Sequence, residues 1–361
     1  MGNEESFLRT KIFSFFYRFI RFIVRFSISI LQWITGRKND LESVVEFGDR
    51  NLARTDRRFG TLAFNYIIPD GIEHDLYALH FKSPLVGASF KSEQDVLNIW
   101  LKMGLGGVTY KTVMKQEREG NARPRLQQVF IDRQQALLNS LGLPGMGIDK
   151  FVEILPKSPI WDHERPIGIS IGGEDVKDYS FNFHQLEKAL QDAGRINYFY
   201  EFNISCPNTD TGMTLGDDMN ELEHLLNSVR PGTSVPLSVK VSPDWDDDHL
   251  NGIGEIVRSY PEIFINAGNT QFKKSGDVGL KQDALPRWGG GLSGGPLLPR
   301  TLNMIHIFKN LGVPVMATGG ISTIHHVNAA KEAGAVLFGL ATALIMDPYC
   351  VPRINNGLAK S

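Results

Sequence analysis

The sequence predicts an α/β protein built as a closed (β/α)8 TIM barrel with an N-terminal amphipathic, membrane-associating helix. Three observations carry this. From residue 81 onward, short apolar β-rich runs alternate with helix-length segments, and there are eight such runs. The polar residues of those runs gather at their C-terminal ends, where a barrel of this class keeps its chemistry. The first forty residues are of a different material from the rest, being apolar, aromatic and basic.

Residues 7–36, "FLRTKIFSFFYRFIRFIVRFSISILQWITG", come first. At 100° per residue, Lys11, Ser14, Arg18, Arg21, Arg25, Ser29 and Gln32 fall in one arc of roughly 80°, and Phe, Ile, Val and Trp fill most of the remainder. The longest uncharged stretch, Phe26 to Gly36, is short of the ~20 apolar residues that a bilayer span needs. A basic stripe beside a wide apolar face suits a helix lying in the membrane interface, with Lys11, Arg18, Arg21 and Arg25 meeting anionic headgroups and Phe15, Phe19, Phe22, Phe26 and Trp33 entering the acyl boundary. The alternatives are a true span, an Arg-rich targeting helix, and a helix packed on its own domain or a partner. The opening "MGNEES" matches an N-myristoylation pattern. The expected location is the surface of a bacterial inner membrane or an organellar membrane, on the reducing side.

Residues 37–78 are polar and mixed, and are expected to form a linker with short helices; Arg50, Arg54, Arg57 and Arg58 cluster there. The barrel is expected over 79–361. Its strands are "PLVGAS" (84–89), "GVTYKTV" (107–113), "IGISIGG" (167–173), "YFYEFNIS" (198–205), "LSVKVS" (237–242), "IFINAGN" (263–269), "VPVMATGG" (313–320) and "AVLFGLAT" (335–342). Ser89, Lys111, Cys206, Lys240, Asn269 and Gly320 end six of these eight runs and so share one rim.

Two glycine turns stand near the end, "GGGLSGGPL" (289–297) before a helix and "TGGIS" (318–322) after strand seven. Backbone N–H groups at such turns form an anion site, and strands seven and eight are the barrel's usual phosphate position. A ligand phosphate is therefore expected by Ser293, Gly294, Gly319, Gly320, Ala341 and Thr342. The first strand is not followed by a G-x-G-x-x-G, so a Rossmann dinucleotide site is not supported.

Composition narrows the classes. A net charge of −2 gives no electrostatic footprint for nucleic acid, and 42% hydrophobic residues supply a large core. Two cysteines, Cys206 and Cys350, make no disulfide framework and point to a reducing compartment. No His, Cys or carboxylate group has metal-ligand spacing. Cys206 lies in "YEFNISCPNTDTG" between Asn203 and Asn208. A thiol among neutral amides suits a general base held beside groups that read a polar ring.

In this order along about residues 79–350, "SPLVGAS", "YKTVMKQEREGNARPR", "LNSLGLPGMG", "NISCPNT", "SVKVSPD", "NAGNT", "GGLSGGPL" and "ATGGI" make the chain resemble the dihydroorotate dehydrogenases. The resemblance implies an FMN-containing (β/α)8 enzyme of pyrimidine synthesis that oxidises dihydroorotate to orotate. It implies Cys206 as the base for the C5 proton, with the C6 hydride passing to the flavin. It assigns Asn139, Gly142, Leu143, Asn203, Asn208, Asn269 and Thr270 to substrate. Ala88, Ser89, Lys111, Thr112, Asn139, Asn203, Lys240 and Val241 fall to the flavin ring, and the six residues named above to its phosphate. Lys240 would stabilise the developing negative charge of the reduced flavin.

Some positions depart from the family. Phe90 stands where glycine is usual, Ala341 replaces a common glycine, and Leu141 a common methionine. A cysteine of the soluble class 1 enzymes is combined with an N-terminal helix of the membrane-bound class 2 type. The helix points to quinone as the electron acceptor; the cysteine points to fumarate or an NAD-linked partner. A related pyrimidine flavoenzyme and a catalytically silent flavin-binding membrane protein are the competing readings, and a homodimer is compatible with either.

Overall fold

The computed structural model describes residues 3–205 and 214–360, with side chains from residue 7 onward. Eight parallel strands close into a barrel: β1 (Leu85–Lys91), β2 (Gly107–Val113), β3 (Ile167–Ile171), β4 (Tyr198–Phe202), β5 (Leu237–Lys240), β6 (Ile263–Ala267), β7 (Val315–Thr318) and β8 (Leu337–Leu340). Each is followed by a helix before the next strand or the C-terminus, which satisfies the long crossover that parallel pairing requires. All eight runs read from the sequence are strands, each ending at or inside the expected bounds except β1, which runs two residues further.

The bottom of the barrel is plugged. A hairpin of His74–Leu76 and Leu79–Phe81 brings Leu76, Leu79 and Phe81 against Val86, Phe199, Phe264, Met316 and Leu337, all buried. The opposite, C-terminal mouth carries a four-stranded antiparallel sheet. It pairs Leu126–Ile131 with Gln134–Asn139, that strand with Gly289–Gly294, and the latter with Gln271–Lys274. The glycine run 289–294 is thus an internal strand rather than the expected turn. A Cβ on Gly290 would lie 2.2 Å from the Asn139 carbonyl oxygen, and one on Gly291 2.0 Å from Thr270 Oγ1, so the close strand approach requires glycine.

Two helices form an outer layer. Helix α1 spans Asn3–Ile34 and α2 spans Glu42–Ala63. Residues 37–78 therefore hold one long helix, irregular at Phe59, and the first strand of the hairpin, rather than a linker with short helices. Ion pairs fix α2 to the barrel: Glu42 to Arg123 and Arg125, Asp56 to Lys102, and Asp49 to Lys91.

The orientation of α1 corrects the expected basic face toward lipid. Ser14 is 3% exposed and donates to Asp347 Oδ2 at 2.6 Å, which also receives Arg353 Nη2 at 2.8 Å. Arg21 and Arg25 both donate to Gln128 Oε1, at 3.1 and 2.9 Å, and Gln32 Nε2 donates to the Asp40 carbonyl. Ser14, Arg21, Arg25 and Gln32 of the polar stripe thus dock onto the protein, while the Arg18 side chain stays 63% exposed. The aromatic side points away, with Phe15, Phe19, Phe22 and Phe26 all exposed and Trp33 80% exposed. Lys11 is exposed at the edge of the stripe, its ammonium 4.2 Å from the Phe7 ring centroid. Among the described residues no helix is long and apolar enough to cross a membrane.

Candidate active site at the barrel mouth

The strand ends deliver one polar network. Asn203, just past β4, has its backbone N–H on the Ile171 carbonyl and its own carbonyl accepting from Tyr179 Oη at 2.7 Å, so the backbone of the residue is fixed from both sides. Its side-chain amide donates to Thr112 Oγ1 at 2.9 Å, and Thr112 in turn meets Ser170 Oγ at 2.9 Å. Asn269 Nδ2 donates to Asn203 Oδ1 at 3.2 Å and to Ser205 Oγ at 2.9 Å, while its own Oδ1 accepts the Thr270 N–H. Asn203, Thr112 and the pair Asn269 and Thr270, named from three separate motifs, are therefore neighbours.

A second group forms the wall. Asn139 closes the strand Gln134–Asn139 and donates to the Gly291 carbonyl at 3.0 Å. The turn that follows needs its glycine. Gly142 has φ +72°, and a Cβ there would lie 2.8 Å from Asn121 N. Leu143 also takes a left-handed backbone, φ 48°. Pro144 then presents its carbonyl to Lys111 Nζ at 2.8 Å. Burial pushes the Lys111 ammonium down to a pKa of about 8.

On the other side, Lys240 is buried at the end of β5, and Val241 is wholly buried after it. Lys240 Nζ donates to Ser89 Oγ at 3.0 Å. Ala88 is buried beside Ser89 on β1. Phe90 turns the other way, onto Trp100 at 5.3 Å between ring centroids, so its side chain joins the outer core rather than the mouth.

The residues expected beside a ligand phosphate converge at the ends of the neighbouring strands β7 and β8. Gly319 and Gly320 have φ +141° and +78°; Cβ atoms there would come within 2.4 Å of Thr301 Oγ1 and 2.7 Å of Leu298 N. Gly294 has φ +110°, with Thr342 Cγ2 3.4 Å from the Cβ it lacks. Thr342 Oγ1 donates to Ser293 Oγ at 2.8 Å, and Ala341 caps the helix Thr342–Met346. Cys206 and Asn208 lie outside the described residues. The other cysteine, Cys350, is buried, and burial pushes its thiol up to about 12. Among the described residues no group of three His, Cys, Asp or Glu side chains could hold a metal ion.

Sequence reading missed Glu201, which is fully buried in the barrel and accepts from Ser89 Oγ at 2.5 Å and Asn266 Nδ2 at 2.6 Å. A lone acid in "YFYEF" is the signal that could have found it. It also missed Ser170 and Ser205. A cleft of about 470 Å³ between α1 and the barrel was not foreseen either; Arg21, Phe22, Arg25, Gln128, Phe130 and Met346 are among its lining residues.

The family model for dihydroorotate dehydrogenase matches residues 72–361. A dihydroorotate dehydrogenase (quinone) of Synechococcus sp. (strain JA-2-3B'a(2-13)) is 31% identical over 315 residues, covering 79% of each chain. A dihydroorotate dehydrogenase B (NAD(+)) catalytic subunit of Malacoplasma penetrans is 27% identical over 287 residues, covering 78% of this chain and 90% of that one. The crystal structure of DHODH from Eimeria tenella in complex with ferulenol superposes with a TM-score of 0.72 at 20% identity, covering 87% of this chain and 90% of that one, a likeness of fold. These matches make the chain an oxidoreductase of a class that is flavin-dependent in general. The chain belongs to the dihydroorotate dehydrogenase family.

Proposed function

We propose that this protein binds FMN at the barrel mouth, oxidises dihydroorotate to orotate, and passes the electrons to a quinone in the adjoining membrane. The single observation that carries the full reading is the pairing of the amide network at the mouth with a helix whose apolar face is turned outward.

The residues present fit FMN. Gly294, Gly319 and Gly320 adopt positive φ where a side chain would collide, as backbone approaching a phosphate does. Thr318 Oγ1, beside them, is buried without a hydrogen-bond partner among the described residues. Ser293 and Thr342 supply hydroxyls to the same end. Lys111 and Lys240 supply two ammonium groups for the ring, with Ala88, Ser89, Thr112 and Val241 around it. When bound, the flavin supplies the two-electron acceptor for the substrate's hydride.

The protein's own groups do the rest. Asn139, Asn203 and Asn269, with Asn208 from the sequence motif, offer both donors and acceptors and so can orient the amide and carboxylate edges of a pyrimidine. Gly142 and Leu143 shape the turn over it. Cys206 takes the C5 proton, a task for which a thiol ionising near pH 8.5 is far better placed than a hydroxyl. The outward aromatic face of α1 is suited to the acyl boundary, with Lys11 and Arg18 exposed beside it and Ser14, Arg21, Arg25 and Gln32 held on the barrel. The cleft beside Phe22 and Met346 offers a lipid-soluble acceptor a path between helix and barrel.

Purified protein should be yellow, release FMN on denaturation, and turn over dihydroorotate with a membrane quinone. A colourless protein that FMN does not reconstitute removes the cofactor reading. Turnover with fumarate and none with quinone removes the acceptor reading and leaves the helix a role in location only.

A further inference from the structure

Inside the barrel, beneath the mouth, sits a charged group that the proposed chemistry leaves without a task. Glu201 on β4 is 0% exposed. A carboxylate taken out of water is costly unless its oxygens are hydrogen-bonded and its charge is compensated. Hydrogen-bond accounting shows how this is met. Ser89 Oγ receives Lys240 Nζ at 3.0 Å, so its one proton is free to go to Glu201 Oε1 at 2.5 Å. Asn266 Nδ2 gives a proton to the other oxygen at 2.6 Å. Both oxygens accept, which is the pattern of an ionised carboxylate. Its countercharge is Lys240, 3.9 Å from Oε1 and itself buried. The ammonium does not touch the carboxylate; the Ser89 hydroxyl stands between them and holds them apart.

We infer that Glu201 is a positioning residue for the redox chemistry: through Ser89 it fixes the Lys240 ammonium at the rim and damps its charge, and so sets the reduction potential of the flavin. The inference rests on the reading that Lys240 borders the flavin ring. Its physical content is a balance of two opposite charges a few ångströms apart in a low-dielectric interior, where each is felt strongly. Reduction adds negative charge to the ring. A freer positive charge favours the reduced form, and a positive charge drawn away from the rim disfavours it.

Two substitutions should therefore move the potential in opposite directions, which loosened packing would not do. Glu201→Gln keeps the shape and leaves Lys240 uncompensated, so the flavin becomes easier to reduce. Ser89→Ala removes the spacer, lets Lys240 close onto Glu201, and makes the flavin harder to reduce. The measurement is the reduction potential of the holoprotein, titrated against a reference dye and followed by flavin absorbance, so it does not depend on turnover. The expected change in the reduced-to-oxidised ratio at fixed solution potential is about tenfold in each direction, the size of one partly screened charge. Unchanged potentials in both variants, or shifts of the same sign, overturn the inference. If Glu201→Gln fails to hold flavin, the Ser89→Ala arm decides alone: a lowered potential supports the inference and an unchanged one overturns it. A wild-type protein that binds no flavin defeats the cofactor reading instead, which keeps the two failures apart.

Discussion

Lys111 should be a liability to the fold that only a bound ligand repays. The side chain is drawn into the barrel mouth, where its described hydrogen bond is to the Pro144 carbonyl. Burial moves its pKa from the ordinary 10.5 to about 8. At roughly 1.4 kcal/mol for each tenfold, holding the charge in the folded protein at neutral pH costs about 3 kcal/mol. The substitution Lys111→Met removes that cost and also the bond to Pro144, worth about 1 kcal/mol. The flavin-free variant should then be about 2 kcal/mol more stable than wild type at pH 7, read as a higher urea midpoint. Between pH 8 and 10.5 the unfolded wild-type chain keeps a proton that the folded protein has released, so wild-type stability rises with pH through that window. The advantage of the variant must shrink accordingly toward pH 10. In the loaded protein the order should reverse, because the variant lacks the ammonium proposed to border the ring and should hold flavin more weakly. A variant no more stable than wild type, or an advantage that is flat with pH, would refute the reasoning.

Other outcomes follow from the same geometry. Asp347→Ala leaves Ser14 on α1 and Arg353 without their shared acceptor and should cost about 2–4 kcal/mol, measured by the urea midpoint. Cys206→Ser should leave flavin bound and slow its reduction by dihydroorotate about 10²–10⁴-fold in anaerobic stopped flow; an unchanged rate removes Cys206 from the chemistry. With its thiol pushed up to about 12, Cys350 should resist iodoacetamide at pH 8 in the native protein and react after unfolding, as mass spectrometry of the Cys206→Ser variant would show. Changing Phe15, Phe19 and Phe26 together to Ser should lower vesicle partitioning by more than about a hundredfold with little change in fold, because these rings are exposed and line neither the docking face nor the cleft.

Much of the barrel was legible because each strand is a short apolar run between helix-length segments, a pattern that burial on both faces imposes. Asn203, Asn269 and Thr112 could be named before their contacts were known because their motifs resemble those of the dihydroorotate dehydrogenases, and Asn269 also because it ends a strand run at the rim. The antiparallel sheet over the mouth was not legible. One of its two internal strands, "GGGLSG", has almost no side chains to carry a period of two, so it reads as a turn. The wheel of α1 gave the right stripe and the wrong neighbour. Periodicity fixes which residues share a face, but not whether that face meets headgroups or Asp347 and Gln128, residues more than 100 positions away. Glu201 escaped for a similar reason: its partners, Ser89, Lys240 and Asn266, come from three other strands, and only barrel closure brings them together.

The central claim is that α1 holds a flavin-bearing barrel against lipid so that quinone takes the electrons. The most direct test is reoxidation of the dihydroorotate-reduced flavin by vesicles carrying a long-chain quinone, without oxygen, in wild type and in the Phe15, Phe19 and Phe26 to Ser variant, which leaves the cleft intact. The account predicts that both proteins are reduced alike by dihydroorotate, and that wild type is reoxidised by the vesicles while the variant lags far behind. Equal reoxidation of the two proteins, or a wild-type flavin that the quinone vesicles leave reduced, would contradict it.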